Sequence, residues 1–94
     1  MIMAQLENHY LVKLWKAAAL GLLDRYESVC NNIINNVKTV EDANDYVCEI
    51  YASLRVMQEK FRHNPKELEI LASIEKRCDE KAAEIEETYI TPIQ

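Results

Sequence analysis

The chain has 94 residues, of which 49% are apolar, a net charge of −5 and a single glycine. That is the length of one small domain, too apolar for a disordered tail and too poor in turn residues for a sheet protein. Basic residues form no stripe able to neutralise phosphates, which argues against direct nucleic-acid binding.

The first predicted element covers about residues 4–37. Its greasiest stretch, "LVKLWKAAALGLL" at 11–23, contains only Lys13 and Lys16 as charges. The longest uncharged run, Ala17 to Leu23, is seven residues, against about 20 needed to span a bilayer. No membrane span is expected. On a helical wheel Leu11, Trp15, Leu22, Tyr26, Val29 and Ile33 form one apolar seam, with Ala19, Leu23, Cys30, Ile34 and Val37 beside it. An arc that wide suits a helix with two neighbours. Gly21 is its weak point, costing up to about 1 kcal/mol relative to alanine.

The second predicted helix covers about 40–63. Thr39 is placed to accept from a first-turn amide, and Glu41 and Asp42 suit the positive end of the helix dipole. Val40, Ala43, Val47, Ile50, Leu54, Met57 and Phe61 repeat at alternating steps of three and four, the pattern of a helix laid nearly parallel to a neighbour. "HNPKEL" stops it: Asn64 precedes proline, Pro65 fits a first helical position, and Glu67 completes a capping pattern. The third helix covers about 65–89, with Leu71, Ile74, Cys78, Ala82, Ile85 and Tyr89 on one face and Glu69, Lys76, Glu80, Glu84 and Glu87 outside. Residues 90–94 read as a loose tail.

Two short loops predict an all-α, antiparallel up-down-up three-helix bundle in one domain over 1–94. In that register Leu71 faces Met57, Cys78 faces Ile50, and Ala17 or Ala18 faces Phe61. The first helix, about 34 residues and on the order of 50 Å, outruns the second, about 24 residues and 36 Å. Residues 1–13 are therefore expected to protrude as an interaction arm, or the helix is broken at Gly21.

Acidity grows along the chain: residues 1–38 carry four basic and three acidic groups, 39–64 three and five, and 65–94 four and eight. The acidic third helix reads as a solvated face. Catalytic patterns are not found. His9 and His63 lack the Glu-x-x-His spacing of a bundle metal site, the single glycine precludes a phosphate loop, and no serine has a histidine placed beside it. No cofactor or metal is expected. Cys30, Cys48 and Cys78 read as core packing in a reducing, cytoplasmic setting, with Cys30 and Cys48 as neighbours.

The functional expectation is a non-enzymatic, acidic helical module of adaptor, chaperone or inhibitor type. It binds a protein partner, or a second copy of itself, through helix 1. The expected contact residues are Leu6, Tyr10 and Leu11, left without cover by the length mismatch, Leu14 and Trp15 at the junction with the core, and Leu20 on the polar side of the wheel. The alternatives are a small-molecule or nucleotide-binding bundle, with Trp15 and the tyrosines stacking on a planar ligand, and a nucleic-acid mimic. The stretch "YLVKLWKAAALGLLDR" at 10–25 is similar to the first helix of small nucleoid-associated regulators of the Hha/Cnu type. The likeness covers 16 residues, is carried by Tyr10, Leu11, Lys13 and Leu14, and ends by Val29. It implies a nucleoid-regulator-like inhibitor.

Overall fold

The computed structural model describes the backbone over residues 8–90 and side chains over 9–87. All regular structure in the described residues is helical. Four helices succeed one another: α1 (Asn8–Leu20), α2 (Leu23–Asn36), α3 over 40–60, and α4 (Pro65–Ile90).

The expected first helix is two helices. After Leu20 the backbone turns left-handed at Gly21, with φ +69°. The Leu22 amide donates to the Ala17 carbonyl at 3.0 Å and the Gly21 amide to the Ala18 carbonyl at 3.2 Å. This is the Schellman pattern, in which a glycine past the helix end satisfies carbonyls that would otherwise lack donors. A new helix then starts at Leu23, with Asp24 in its first turn beside the positive end of the dipole.

The consequence is a reversal of direction. Trp15 lies against Glu49, and the Gly21 Cα region lies beside Lys60, so α1 runs parallel to α3. Only three residues separate the end of α2 at Asn36 from Val40, and Tyr26 near the start of α2 reaches Ile50 and Ser53 well along α3, so α2 runs antiparallel to α3. α1 and α2 are thus an antiparallel hairpin, and α1 packs on both α2 and α3. Over the described residues α1 has thirteen residues and α2 fourteen. The overhang expected from a single long helix does not exist over the described residues. The hinge end of the hairpin lies near Phe61, with Gly21 and Leu22 sharing a surface depression with it.

α2 buries Tyr26, Val29, Cys30, Ile33 and Ile34 along one side, the stripe read from its sequence. α3 begins where expected: Thr39 Oγ1 accepts from the Asp42 amide at 3.0 Å. Its course is Val40–Asp42, a wider π-type stretch Ala43–Val47, then Cys48–Lys60. The wide turn shifts the helical phase of residues 40–42 relative to residues 48–60. Tyr46 and Val47 both turn inward, and Val40, expected in the seam, is left exposed. Beyond the π stretch Ile50, Leu54 and Met57 are fully buried.

Pro65 opens α4, and Leu71, Ile74, Cys78 and Ile85 form its buried face, while Ala82 is half-buried. The α3–α4 register agrees with the expectation. Tyr51 donates to Asp79, and Arg55 pairs with Glu75 at 3.4 Å one turn along. Arg77 reaches back to Asn31 and, at 3.5 Å, to Glu27, tying α4 to α2. These partly exposed pairs orient the helices more than they stabilise them. Leu6 and the rest of residues 1–7 lie outside the described residues, as do residues 91–94 of the expected tail; residue 90 belongs to α4.

One polar group is buried at the centre. The Tyr26 hydroxyl, with its residue fully buried, sits 2.6 Å from Ser53 Oγ, which donates to the Ile50 carbonyl at 2.9 Å. Tyr26→Phe removes one partner and leaves Ser53 bonded to Ile50. It is expected to cost about 1 kcal/mol, the net worth of one buried hydrogen bond, read as a lower urea midpoint at an unchanged slope.

Candidate functional site

The hairpin creates a groove between α1 and α2 on the side away from the core. Its volume is about 450 Å³, and it runs from Tyr10 and Asn32 at one end to Leu20 and Leu22 at the hinge. Ala17 and Val29 form its floor, both buried. Lys13 and Lys16 from α1 and Arg25 from α2 stand around it, and no carboxylate among the described residues lines it.

In a chain of net charge −5 this concentration of like charge needs explaining. Lys13 and Lys16 occupy neighbouring turns of one helix face, where like charges repel. Among the described residues none of the three cations is engaged in an ion pair; the carboxylates that are paired serve Arg55, Arg62, Arg77 and Lys81 instead. The three cations thus stand without direct ion pairs among the described residues, although Asp24 and Glu67 line the adjoining depression with Arg25; the apolar floor beneath them excludes water and strengthens their field.

Next to the cations, Leu20 is 61% exposed and Leu22 41% exposed. Val12, on the outer side of α1, is 66% exposed. A shallower depression shares Leu22 and Arg25 and continues around the hinge past Leu23, Phe61 and Ile70. The apolar surface of the hinge end is thus contiguous with the cationic groove, which is what distinguishes it from singly scattered surface leucines.

The residues expected from sequence separate into three groups. Leu20 and Tyr10 line the groove, Leu20 exposed and Tyr10 half-buried with its ring stacked on His9 at 4.7 Å. Leu14 is fully buried in the core, and Leu11 and Trp15 are half-buried against it. The Trp15 indole N–H donates to Glu49 Oε1 at 2.8 Å, so its polar edge is satisfied inside the molecule. Leu6 lies outside the described residues. The premise that residues up to 14 lack intramolecular cover is therefore corrected for 9–14: the fold-back at Gly21 supplies α3 as cover.

Sequence reading missed Lys13, Lys16, Arg25 and Leu22 as one constellation. A signal for it was present: glycine after an alanine-rich run, then Leu-Leu-Asp, is a helix stop and at once a helix start.

The cysteines differ from expectation too. Cys48 is exposed, while Cys30 and Cys78 are fully buried, and all three are free thiols. Burial pushes each buried thiol up to about 12, and each is close enough to other groups of the α2–α4 contact to feel their charge. The core neighbour of Cys30 is Cys78, because Arg77 brings α4 against Asn31 and Glu27. The Tyr26 hydroxyl is pushed up as well, first by burial and then by Cys30 beside it. No group of three or more His, Cys, Asp or Glu suited to a metal occurs among the described residues. Nor is any described helix long and apolar enough to cross a membrane. No family model, curated protein or solved structure matches the chain.

The thiols give a check on this arrangement. One thiol, Cys48, is expected to react rapidly with a disulfide reagent in the native protein, and all three in denaturant. The folded state holds the Cys30 and Cys78 protons that an unfolded chain releases near its ordinary thiol value of 9.0. Stability is then fully present below pH 9 and falls as pH rises from there toward about 12. Urea midpoints measured across that range should decline steadily, and a flat profile would contradict the burial of both thiols.

Proposed function

We propose that the protein is a non-catalytic binding module of adaptor, chaperone or inhibitor type whose α1–α2 hairpin receives an acidic, amphipathic helix of a partner protein. The observation that carries this is the ring of Lys13, Lys16 and Arg25, without ion pairs among the described residues, around an apolar floor continuous with exposed Leu20 and Leu22. A helix laid in a groove presents apolar anchors at steps of three and four. Carboxylates flanking those anchors would meet the three cations and steer the encounter.

The acidic α4 of a second copy fits this groove poorly. Its outward positions are charged or small, including Glu69, Ala72, Ser73, Asp79, Glu80 and Ala83, and none of the large exposed apolar side chains among the described residues lies on it. A partner of different sequence is the better complement.

A second reading has one observation in its favour. The groove volume of about 450 Å³ falls in the range of small-molecule sites, and the ligand it suits is an anionic amphiphile.

The test uses displayed helical peptides that vary anchor and charge independently. Peptides with a leucine or phenylalanine anchor and acidic flanks are expected to be enriched, and to lose affinity as salt rises. Lys16→Glu with Arg25→Glu should weaken the best of them at least tenfold at an unchanged melting temperature, since both side chains are exposed. Leu20→Asp should do the same without altering the salt dependence. Enrichment of peptides regardless of charge, or full binding by the charge-reversed protein, would remove the reading. A rise in melting temperature with fatty-acid or aryl carboxylates and no peptide binding would favour the small anion.

A further inference from the structure

We propose that the α1–α2 groove is directional. A partner helix of about three turns lies in it parallel to α2, with its C-terminal turn between Tyr10, Lys13 and Asn32 and its N-terminal turn at the hinge, beside Asp24 and Glu67. This rests on the reading of the groove as the seat of an acidic, amphipathic helix, and adds which way that helix runs and what stands at its two ends.

The walls of the groove are built in levels. On α1 Tyr10, Lys13, Ala17 and Leu20 recur at steps of three and four, and on the α2 side Leu22, Arg25, Val29 and Asn32 do the same. A hairpin folded at Gly21 sets them against one another in reverse order. Tyr10 stands across from Asn32, Lys13 from Val29, Ala17 from Arg25, and Leu20 from Leu22. The first and last levels are about 15 Å apart along α1, the length of a helix of about ten residues.

The chemistry changes in one direction along these levels. At the end far from the hinge Tyr10 and Asn32 offer O–H and N–H donors, and Lys13 on the next level adds an ammonium. Arg25 follows, and at the hinge the wall is the exposed pair Leu20 and Leu22. Beyond them the depression that shares Leu22 and Arg25 brings in Asp24 and Glu67, whose carboxylates only accept. The surface thus runs from donors, through cations and leucines, to acceptors.

A helix has the complementary polarity. Its last turn presents carbonyl oxygens without partners and partial negative charge, and its first turn presents N–H groups and partial positive charge. Laid parallel to α2, it offers carbonyls to the donors of Tyr10, Lys13 and Asn32, and N–H groups to the carboxylates at the hinge. Laid the other way, it sets its carbonyls against Asp24 and Glu67 and its N–H groups against Lys13, and both ends are repelled. Asp24 and Glu67 also stand in the first turns of α2 and α4, whose own N–H groups draw on part of their charge. The cations therefore set the direction and the carboxylates reinforce it. Phe61 and Ile70, half-buried in the same depression, give apolar contact to the residue that precedes the partner's first turn.

Two synthetic peptides of about twelve residues test the direction on the unaltered protein. Both carry leucine anchors at steps of three and four with acidic flanks, and each has one added lysine, at the N-terminus in one and at the C-terminus in the other. Composition and net charge are equal, and an isolated helix prefers the C-terminal lysine. Against that preference, the peptide with the N-terminal lysine should bind about threefold more tightly or better in calorimetric titration, because its lysine meets Asp24 and Glu67 while the other meets Lys13. In the complex, a labelled methyl in the peptide's first turn should show nuclear Overhauser contacts to Leu20 and Leu22, and one in its last turn to the Tyr10 ring. Equal affinities, tighter binding of the C-terminal lysine peptide, or the reverse pattern of methyl contacts overturns the direction and leaves the groove reading standing. Failure of both peptides to bind overturns the two together.

Discussion

Everything in this fold downstream of Leu20 is arranged around one backbone conformation, the left-handed turn at Gly21. An L side chain rarely adopts that region, and glycine enters it without steric cost. With the turn made, Leu22 and Gly21 donate to the Ala17 and Ala18 carbonyls, α1 reverses onto α3, and Leu14 is sealed in the core. Without it, the same residues build a straight rod whose first half has nothing to lie against. The groove exists only because the two arms are antiparallel, and its cations meet only because Lys13 and Lys16 come from one arm and Arg25 from the other. A single φ angle thus links local backbone chemistry to the surface where three like charges gather.

That surface also resolves an apparent contradiction in the charge pattern. The chain is acidic overall and increasingly so toward its C-terminus, yet its amino-terminal residues 1–38 carry four basic and three acidic groups. In α3, α4 and their connection the arginines and Lys81 are paired, Arg55 with Glu75, Arg62 with Glu59 and Lys81 with Glu84, while Lys60, Lys66 and Lys76 join no ion pair among the described residues. Arg77 links α4 to α2 in the same way. Lys13, Lys16 and Arg25 are kept apart from that web by the fold-back, which turns them toward solvent across the groove. Fields of this kind act on association with partners far more than on folding, since exposed charges contribute little to stability.

Much of the fold was legible because the signals for it are local. Thr39 and Pro65 mark helix starts through a missing hydrogen-bond partner and a fixed φ. Ile50, Leu54, Met57, Leu71, Ile74 and Cys78 obey a three-four spacing that only one helix face satisfies. Two features resist such reading, for different reasons. The π-type turn at Ala43–Val47 has no residue that demands it; it is a tertiary compromise that brings Tyr46 and Val47 inward together. The break at Gly21 is obscured because the apolar period runs through it undisturbed. Leu11, Trp15, Leu22, Tyr26, Val29 and Ile33 line up on a straight helix, so periodicity alone favours the unbroken rod, although the fully buried residues of α1, Leu14, Ala17 and Ala18, lie on a different face. The choice is made by whether α3 is available to cover α1, a long-range fact. Leu14 is buried and Trp15 half-buried for that reason, and Leu20 is exposed because it sits beside the turn itself.

The distribution of burial indicates which element is held least firmly. The largest fully buried side chains are Tyr26 and Ile33 from α2, Ile50, Leu54 and Met57 from α3, Leu71 and Ile74 from α4, and, from α1, Leu14 alone. Burying one leucine is worth about 1.5–3 kcal/mol, and Ala17 and Ala18 add little apolar area. Trp15 contributes a half-buried ring and a bond to Glu49. Detaching α1 therefore uncovers one large, fully buried side chain, the fewest of the four helices. Elements of low local stability are the ones that open first and that binding surfaces are drawn from. Here that element is also one wall of the cationic groove, so whatever stabilises or displaces α1 acts on the groove through the same few contacts at Leu14, Trp15 and the Gly21 turn.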